Sequence, residues 1–186
     1  TTGAGNLSYD AQIQTALAHK DIAIEASTAW TSASGTLSTS TTWAEDSRIH
    51  VTGDLTVAAA ATLTIRAGSV IRVAPGADIE VTGSLAVQGT LERPVIFAAE
   101  ERTQPWGGFL LRASSSRATV AGAVFTRSGA DPRWFDNVEG SGSSHKREQA
   151  LFYASGGAQV SLTDSFLVDG AGQAAHGESS NFTITR

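Results

Sequence analysis

Ten residues from Arg48, RIHVTGDLTV, set apolar side chains at alternate positions on either side of a central Thr-Gly. Ten residues from Asp78, DIEVTGSLAV, repeat the design with six identities, and TLTIRAGSVIRV from Thr62 follows the same plan between them. Period-two alternation turns one side of a strand inward. The pattern predicts Ile49, Val51, Leu55, Val57, Leu63, Ile65, Ile79, Val81, Leu85 and Val87 as a buried set, with His50, Thr56, Thr64, Glu80 and Ala86 on the other side. Gly53, Gly68 and Gly83 are expected at the bends between strands, where a residue without Cβ strain is useful.

A chain that repeats strand, bend, strand at this interval is either a meander of hairpins or a coil that stacks on itself. Hairpins favour Asn-Gly or Asp-Gly turns. TGD, AGS and TGS are weak turns of that kind, and similar side chains recurring at one position favour stacked coils. The C-terminal half reads in the same register: QVSLTDSF from Gln159 aligns with NFTITR from Asn181 at a spacing of 22, one three-sided coil. ATVAGAVF aligns with VSLTDSF through Val120 and Leu162 at a spacing of 42. The excess is about the length of the polar segment 128–148, which is expected to be a loop thrown out of one coil. Near the start, SYDAQIQTALAHKD places Ile13, Ala16 and Leu17 on one helical stripe behind Ser8 or Asp10 as an N-cap. A short helix there is expected to cover the open end of the stack.

Composition agrees with strands and turns. The chain of 186 residues has 19 glycines, only two lysines, and an apolar fraction of 41%, that of one ordinary globular domain. A net charge of -5 without a basic cluster gives no footprint for a phosphate backbone, so nucleic acid is not an expected partner. No apolar run is long enough to span a bilayer. The absence of Met reads as a processed or trimmed start, and the absence of Cys fits an exported bacterial protein, although small cytosolic domains can also lack Cys.

The segment SGTLSTSTTWAEDSRIHVTGDLTVAAAATLTIRAGSVIRV, then LAVQGTLERPVIFAA, then WGGFLL, resembles the entry region of bacterial secreted proteins of the right-handed parallel β-helix repeat type. The likeness runs from about Ser34 to Arg186. VAAAATLTI departs from the family pattern in lacking a Pro or Gly in its turn. The resemblance implies an all-β fold, a right-handed parallel β-helix (solenoid) with a short N-terminal capping helix. Residues 1–34 would form the cap and 35–186 the coils. It implies no single reaction, since the same fold serves lyases, adhesins and inert stalks.

The strongest candidate for function is the 128–148 loop, because insertions on a repeat scaffold often carry binding. Trp134 and Phe135, flanked by Asp131, Arg133 and Asp136 and followed by His145, Lys146 and Arg147, would suit a sugar platform in which rings stack on a pyranose and charged groups bond hydroxyls. The alternative is that the two rings pin the loop to the coil surface. No spacing matches a lyase motif, so no catalytic residue is assigned. No cofactor is implied beyond a calcium ion that Asp131 and Asp136 could hold. His176 lies close to Asp169 and Glu178 and could orient a proton transfer, although a lone His in a turn is more often a surface residue.

NFTITR breaks off partway round a coil, with Phe182 and Ile184 facing inward and the last edge open. Phe182, Ile184 and Arg186 are therefore expected to meet either a continuation of the same β-helix or another protein chain. The sequence reads as a non-catalytic structural or binding β-helix component of an exported or cell-surface assembly, with polysaccharide as a candidate partner. The alternative is the N-terminal portion of a polysaccharide lyase-like enzyme.

Overall fold

The computed structural model describes residues 29–101, 103–129 and 149–186. Residues 1–28, with the expected helix, and nearly all of the expected 128–148 loop lie outside the described residues.

Among the described residues sixteen strands wind into a parallel β-helix with three faces. Face 1 is a six-stranded sheet of β2 (Thr41–Trp43), β4 (Thr62–Arg66), β7 (Ser84–Gln88), β10 (Arg117–Ala121), β13 (Gln159–Thr163) and β16 (Asn181–Thr185). Face 2 stacks the first half of β3 (Arg48–Val57) with β5 (Val70–Val73), β8 (Val95–Ala99), β11 (Ala123–Thr126) and β14 (Phe166–Val168). Face 3 stacks the second half of β3 with β6 (Ile79–Val81), β9 (Phe109–Leu111), β12 (Phe152–Ser155) and β15 (Ala175–Glu178). β1 (Thr31–Leu37) runs beside β3 round the same corner. Every strand pairing is parallel.

The register yields the coil length. On face 1, Thr62 pairs with Ser84 and Gln159 with Asn181, each 22 residues on, whereas Ser84 pairs with Arg117 and Arg117 with Gln159. The longer of the two takes its extra chain between face 2 and face 3, from Thr126 to Phe152, whereas the coil from Ser84 to Arg117 spreads its extra residues over all three corners. The three sequence units at 48, 62 and 78 are therefore not three coils. RIHVTGDLTV turns from face 2 to face 3, and DIEVTGSLAV turns from face 3 to face 1. Their likeness reflects a shared corner problem, and the residue stacked on Leu55 is Ile79 rather than Leu85.

All ten residues of the expected inward set are buried. They stack in columns: Ile49, Ile71, Phe97, Phe125 and Leu167 on face 2, and Leu55, Ile79, Phe109, Phe152 and Ala175 on face 3. The columns change from aliphatic to aromatic along the axis, and face 1 compensates, with Leu63 and Leu85 followed by Ala118. A close-packed interior requires this trade of volume between faces. The aromatic block is ordered within and across columns. Phe109 stacks on Phe152 at 4.7 Å and Phe97 on Phe125 at 5.1 Å, while Phe97 and Phe109 meet edge to face at 5.3 Å. Trp106 closes the block and donates its Nε1 hydrogen to the Thr126 carbonyl at 2.9 Å.

Corners stack like columns. Left-handed residues lie on left-handed residues of the next coil: Asp46 with Gly68, Gly122 with Asp164, Arg127 with Asp169, Gly156 with Ser179. Of the three glycines expected at bends, Gly68 has φ +75° and Gly83 sits where a Cβ would meet the Ala58 and Ala61 carbonyls. Gly53 is different: its φ is not left-handed and the space around its Cβ position is open, so nothing in the structure requires glycine there. A Cβ at Gly68 would also lie 2.1 Å from an Asp46 carboxylate oxygen. Gly68→Ala is expected to lower unfolding free energy by about 2 kcal/mol or more, against a change within about 0.5 kcal/mol for Gly53→Ala, as read by urea denaturation.

Candidate functional site

The outward charged side chains tie coil to coil. Arg93 reaches past Gly68 to place its two terminal nitrogens 2.9 Å from Glu45 and from Asp46, two coils away. The bonds to Glu45 and then Asp46, with their negative charge, raise the guanidinium pKa above its ordinary value. Arg112 pairs with Glu80 at 3.1 Å and Arg127 with Asp169 at 2.5 Å. Asp169 is thus engaged by Arg127, and of the two carboxylates near His176 in sequence it is Glu178 that faces the imidazole, at 3.4 Å.

On the outside of face 2, Arg72 lies over the Trp30 indole at 4.6 Å and brings Nη2 to 3.4 Å from His50 Nδ1. Because a guanidinium only donates, His50 Nδ1 must accept, which leaves Nε2–H to face Glu100 Oε1 at 3.0 Å. On the outside of face 3, Tyr153 stacks beside His176 with centroids 5.6 Å apart and donates to Glu178 at 3.1 Å. Tyr153 and Leu110 are buried together there, apart from the central core.

The corner between faces 2 and 3 carries a second kind of tie. Asp54 accepts the Asp78 N–H at 3.0 Å, and Asp78 accepts the Gly108 N–H at 3.1 Å and a Gln149 side-chain N–H at 2.6 Å. Gln149 is wholly buried, and it is the first described residue after Gly129, whose own N–H is bonded to the Trp106 and Gly107 carbonyls. A Cβ at Gly129 would meet the Gln149 carbonyl oxygen at 2.7 Å. The two ends of the 130–148 stretch are thus held together over the aromatic block. Neither Asp78 nor Gln149 was singled out in the sequence. The only signal was their position: one just before a buried strand, the other just after a polar stretch.

Asp131, Arg133, Trp134, Phe135, Asp136, His145, Lys146 and Arg147 lie outside the described residues. Phe182 packs against the core from the last coil, and Ile184 is 65% exposed. Beside it a cavity of about 230 Å³ opens at the end of the stack, lined mainly by apolar residues, among them Phe125, Phe152, Leu162, Leu167 and Ile184. Arg186 follows the last strand, exposed. Among the described residues no three His, Asp or Glu side chains gather as metal ligands.

A family model described as a pectate-lyase-like β-helix domain matches residues 35–128. The chain belongs to the pectate-lyase-like β-helix family. The match ends at Ser128, next to Gly129. No curated protein and no solved structure matches this member of the family.

Asp78 holds Gly108 and Gln149 at once, so Asp78→Ala strands two donors in a largely buried corner. The expected cost is about 1–3 kcal/mol, with faster amide hydrogen exchange confined to residues 107–109 and 149–152. Uniform exchange changes along the whole stack would contradict this assignment.

Proposed function

We propose that this pectate-lyase-like β-helix domain is a non-catalytic structural and binding element of an exported or cell-surface bacterial assembly. The observation that carries the reading is how its outward ionisable groups are used. Arg93, Arg112, Arg127 and the His50–Arg72 pair are each drawn into contacts with neighbouring coils, an arrangement that strengthens a stalk. The apolar end around Phe182 and Ile184 supports a partner role, in which further coils of the same β-helix or another chain add a strand along β16.

Polysaccharide contact belongs to the segment between Gly129 and Gln149, with Trp134 and Phe135 as stacking surfaces and Asp131, Arg133, Asp136, His145, Lys146 and Arg147 as hydroxyl or carboxylate partners. Calcium is the cation that Asp131 and Asp136 would suit. One observation favours a second reading, as part of a polysaccharide lyase: the pectate-lyase-like character of the family model.

Affinity electrophoresis in gels containing polygalacturonate or a neutral glucan, run beside an absorbance assay for unsaturated sugar product, separates the two. The binding reading expects retardation by one of the polymers, loss of it in Trp134→Ala/Phe135→Ala, and flat absorbance with or without calcium. Rising absorbance would replace it with the lyase reading.

A further inference from the structure

Among the described residues five buried side-chain nitrogen or oxygen atoms have no hydrogen-bond partner, and three of them belong to the contact chain on the outer side of face 2: Trp30 Nε1, Arg72 Nε and His50 Nε2. His50 Nε2 has Glu100 Oε1 at 3.0 Å, close enough for an ion pair though not aligned as a hydrogen bond. Trp30 Nε1 and Arg72 Nε have no acceptor at all, and both always carry a hydrogen. The guanidinium lies 4.6 Å from the centre of the indole, so the two unmet donors are neighbours. A buried donor without an acceptor calls for a physical explanation.

Charge points the same way. Arg93, Arg112 and Arg127 each meet a carboxylate, whereas among the described residues none lies within ion-pair distance of Arg72. Glu100 stands on the opposite nitrogen of the imidazole that Arg72 touches. A guanidinium laid over an indole is partly desolvated, and a positive charge there gains from a close negative partner.

The surroundings favour a species that only accepts. A water molecule would accept from the two donors but would need acceptors for its own hydrogens. His50 Nδ1 already accepts from Arg72 Nη2, and Trp30 packs on the apolar cluster of Val70, Ile96, Ala98, Val124 and Val168. Thr126, the hydroxyl on this side, stands two strands from Arg72 and donates to the Phe97 carbonyl at 3.4 Å. A carboxylate needs no such acceptors, and its two oxygens suit two donors. We propose that Trp30 Nε1 and Arg72 Nε form a binding site for a small carboxylate on the outer side of face 2. His50 steadies the guanidinium from its other side. This inference does not depend on the proposed function.

The test is an NMR titration of the isotope-labelled full chain with sodium acetate, with sodium chloride at matched ionic strength as the control. The Trp30 indole N–H, assigned with Trp30→Phe, should move downfield along a saturating curve in acetate alone. The Trp106 indole, already bonded to the Thr126 carbonyl, should stay in place. Arg72→Gln removes both the charge and the Nε–H, and should weaken acetate binding about tenfold or more. Where that variant does not fold, Glu100→Gln gives the second reading: loss of the negative charge beyond His50 should tighten binding a few-fold. A Trp30 shift that is absent, that does not saturate, that chloride reproduces, or that the substitution leaves unchanged overturns the proposal.

Discussion

Every feature of this molecule follows from the parallel backbone ladder between successive coils. Each coil must present its N–H and C=O groups in register with the next, about 4.8 Å along the axis, on three faces at once. A parallel ladder holds neighbouring strands in register, so at several corners one coil repeats the backbone of the last. Left-handed residues therefore sit on left-handed residues, as at Asp46 and Gly68 or Arg127 and Asp169. Chain that exceeds a coil has to leave at a corner and return to the same point. Gly129 and Gln149 meet at such a corner, where Asp78 accepts from the Gln149 amide.

The same constraint explains what was legible in the sequence. Inward positions such as Leu55, Ile65 and Val81 announce themselves by alternation, and the spacing of 22 between Gln159 and Asn181 is the rung itself. The units at 48 and 78 mislead because side-chain alternation and a Thr-Gly corner recur at two different corners of one coil, and sequence similarity carries no label for which corner it describes. The outer side of face 2 was legible in principle, since VIFAA in β8 is wholly apolar, the mark of a strand buried on both sides. Reading it as simple alternation hides that. Asp78 and Gln149 could not be read, because their partnership joins residues 71 apart through one hydrogen bond.

Physically, the domain divides into a stiff shaft and two unfinished surfaces. The shaft is made by aromatic columns inside and by ion pairs outside, such as the Arg93 fork over Gly68. The first is the outer side of face 2, where Val70, Ile96, Ala98, Val124 and Val168 form an apolar cluster apart from the core. The second is the open end at Ile184, which suits more coils. Membership of the pectate-lyase-like β-helix family is consistent with a shaft whose longest coil takes its extra chain between face 2 and face 3.

The central claim is the register of the stack, and a pair of engineered disulfides tests it most directly in this cysteine-free chain. Thr64 and Ala86 are outward partners on β4 and β7, close enough in a parallel pair for a disulfide, whereas Thr56 and Ala86 occupy the same place in the two similar ten-residue units but lie on different faces. The account predicts that Thr64→Cys/Ala86→Cys oxidises to an intramolecular disulfide with the fold retained, and that Thr56→Cys/Ala86→Cys stays reduced. Bridging of the 56–86 pair in place of the 64–86 pair would mean that the two units stack directly, and the coil assignment would have to be abandoned.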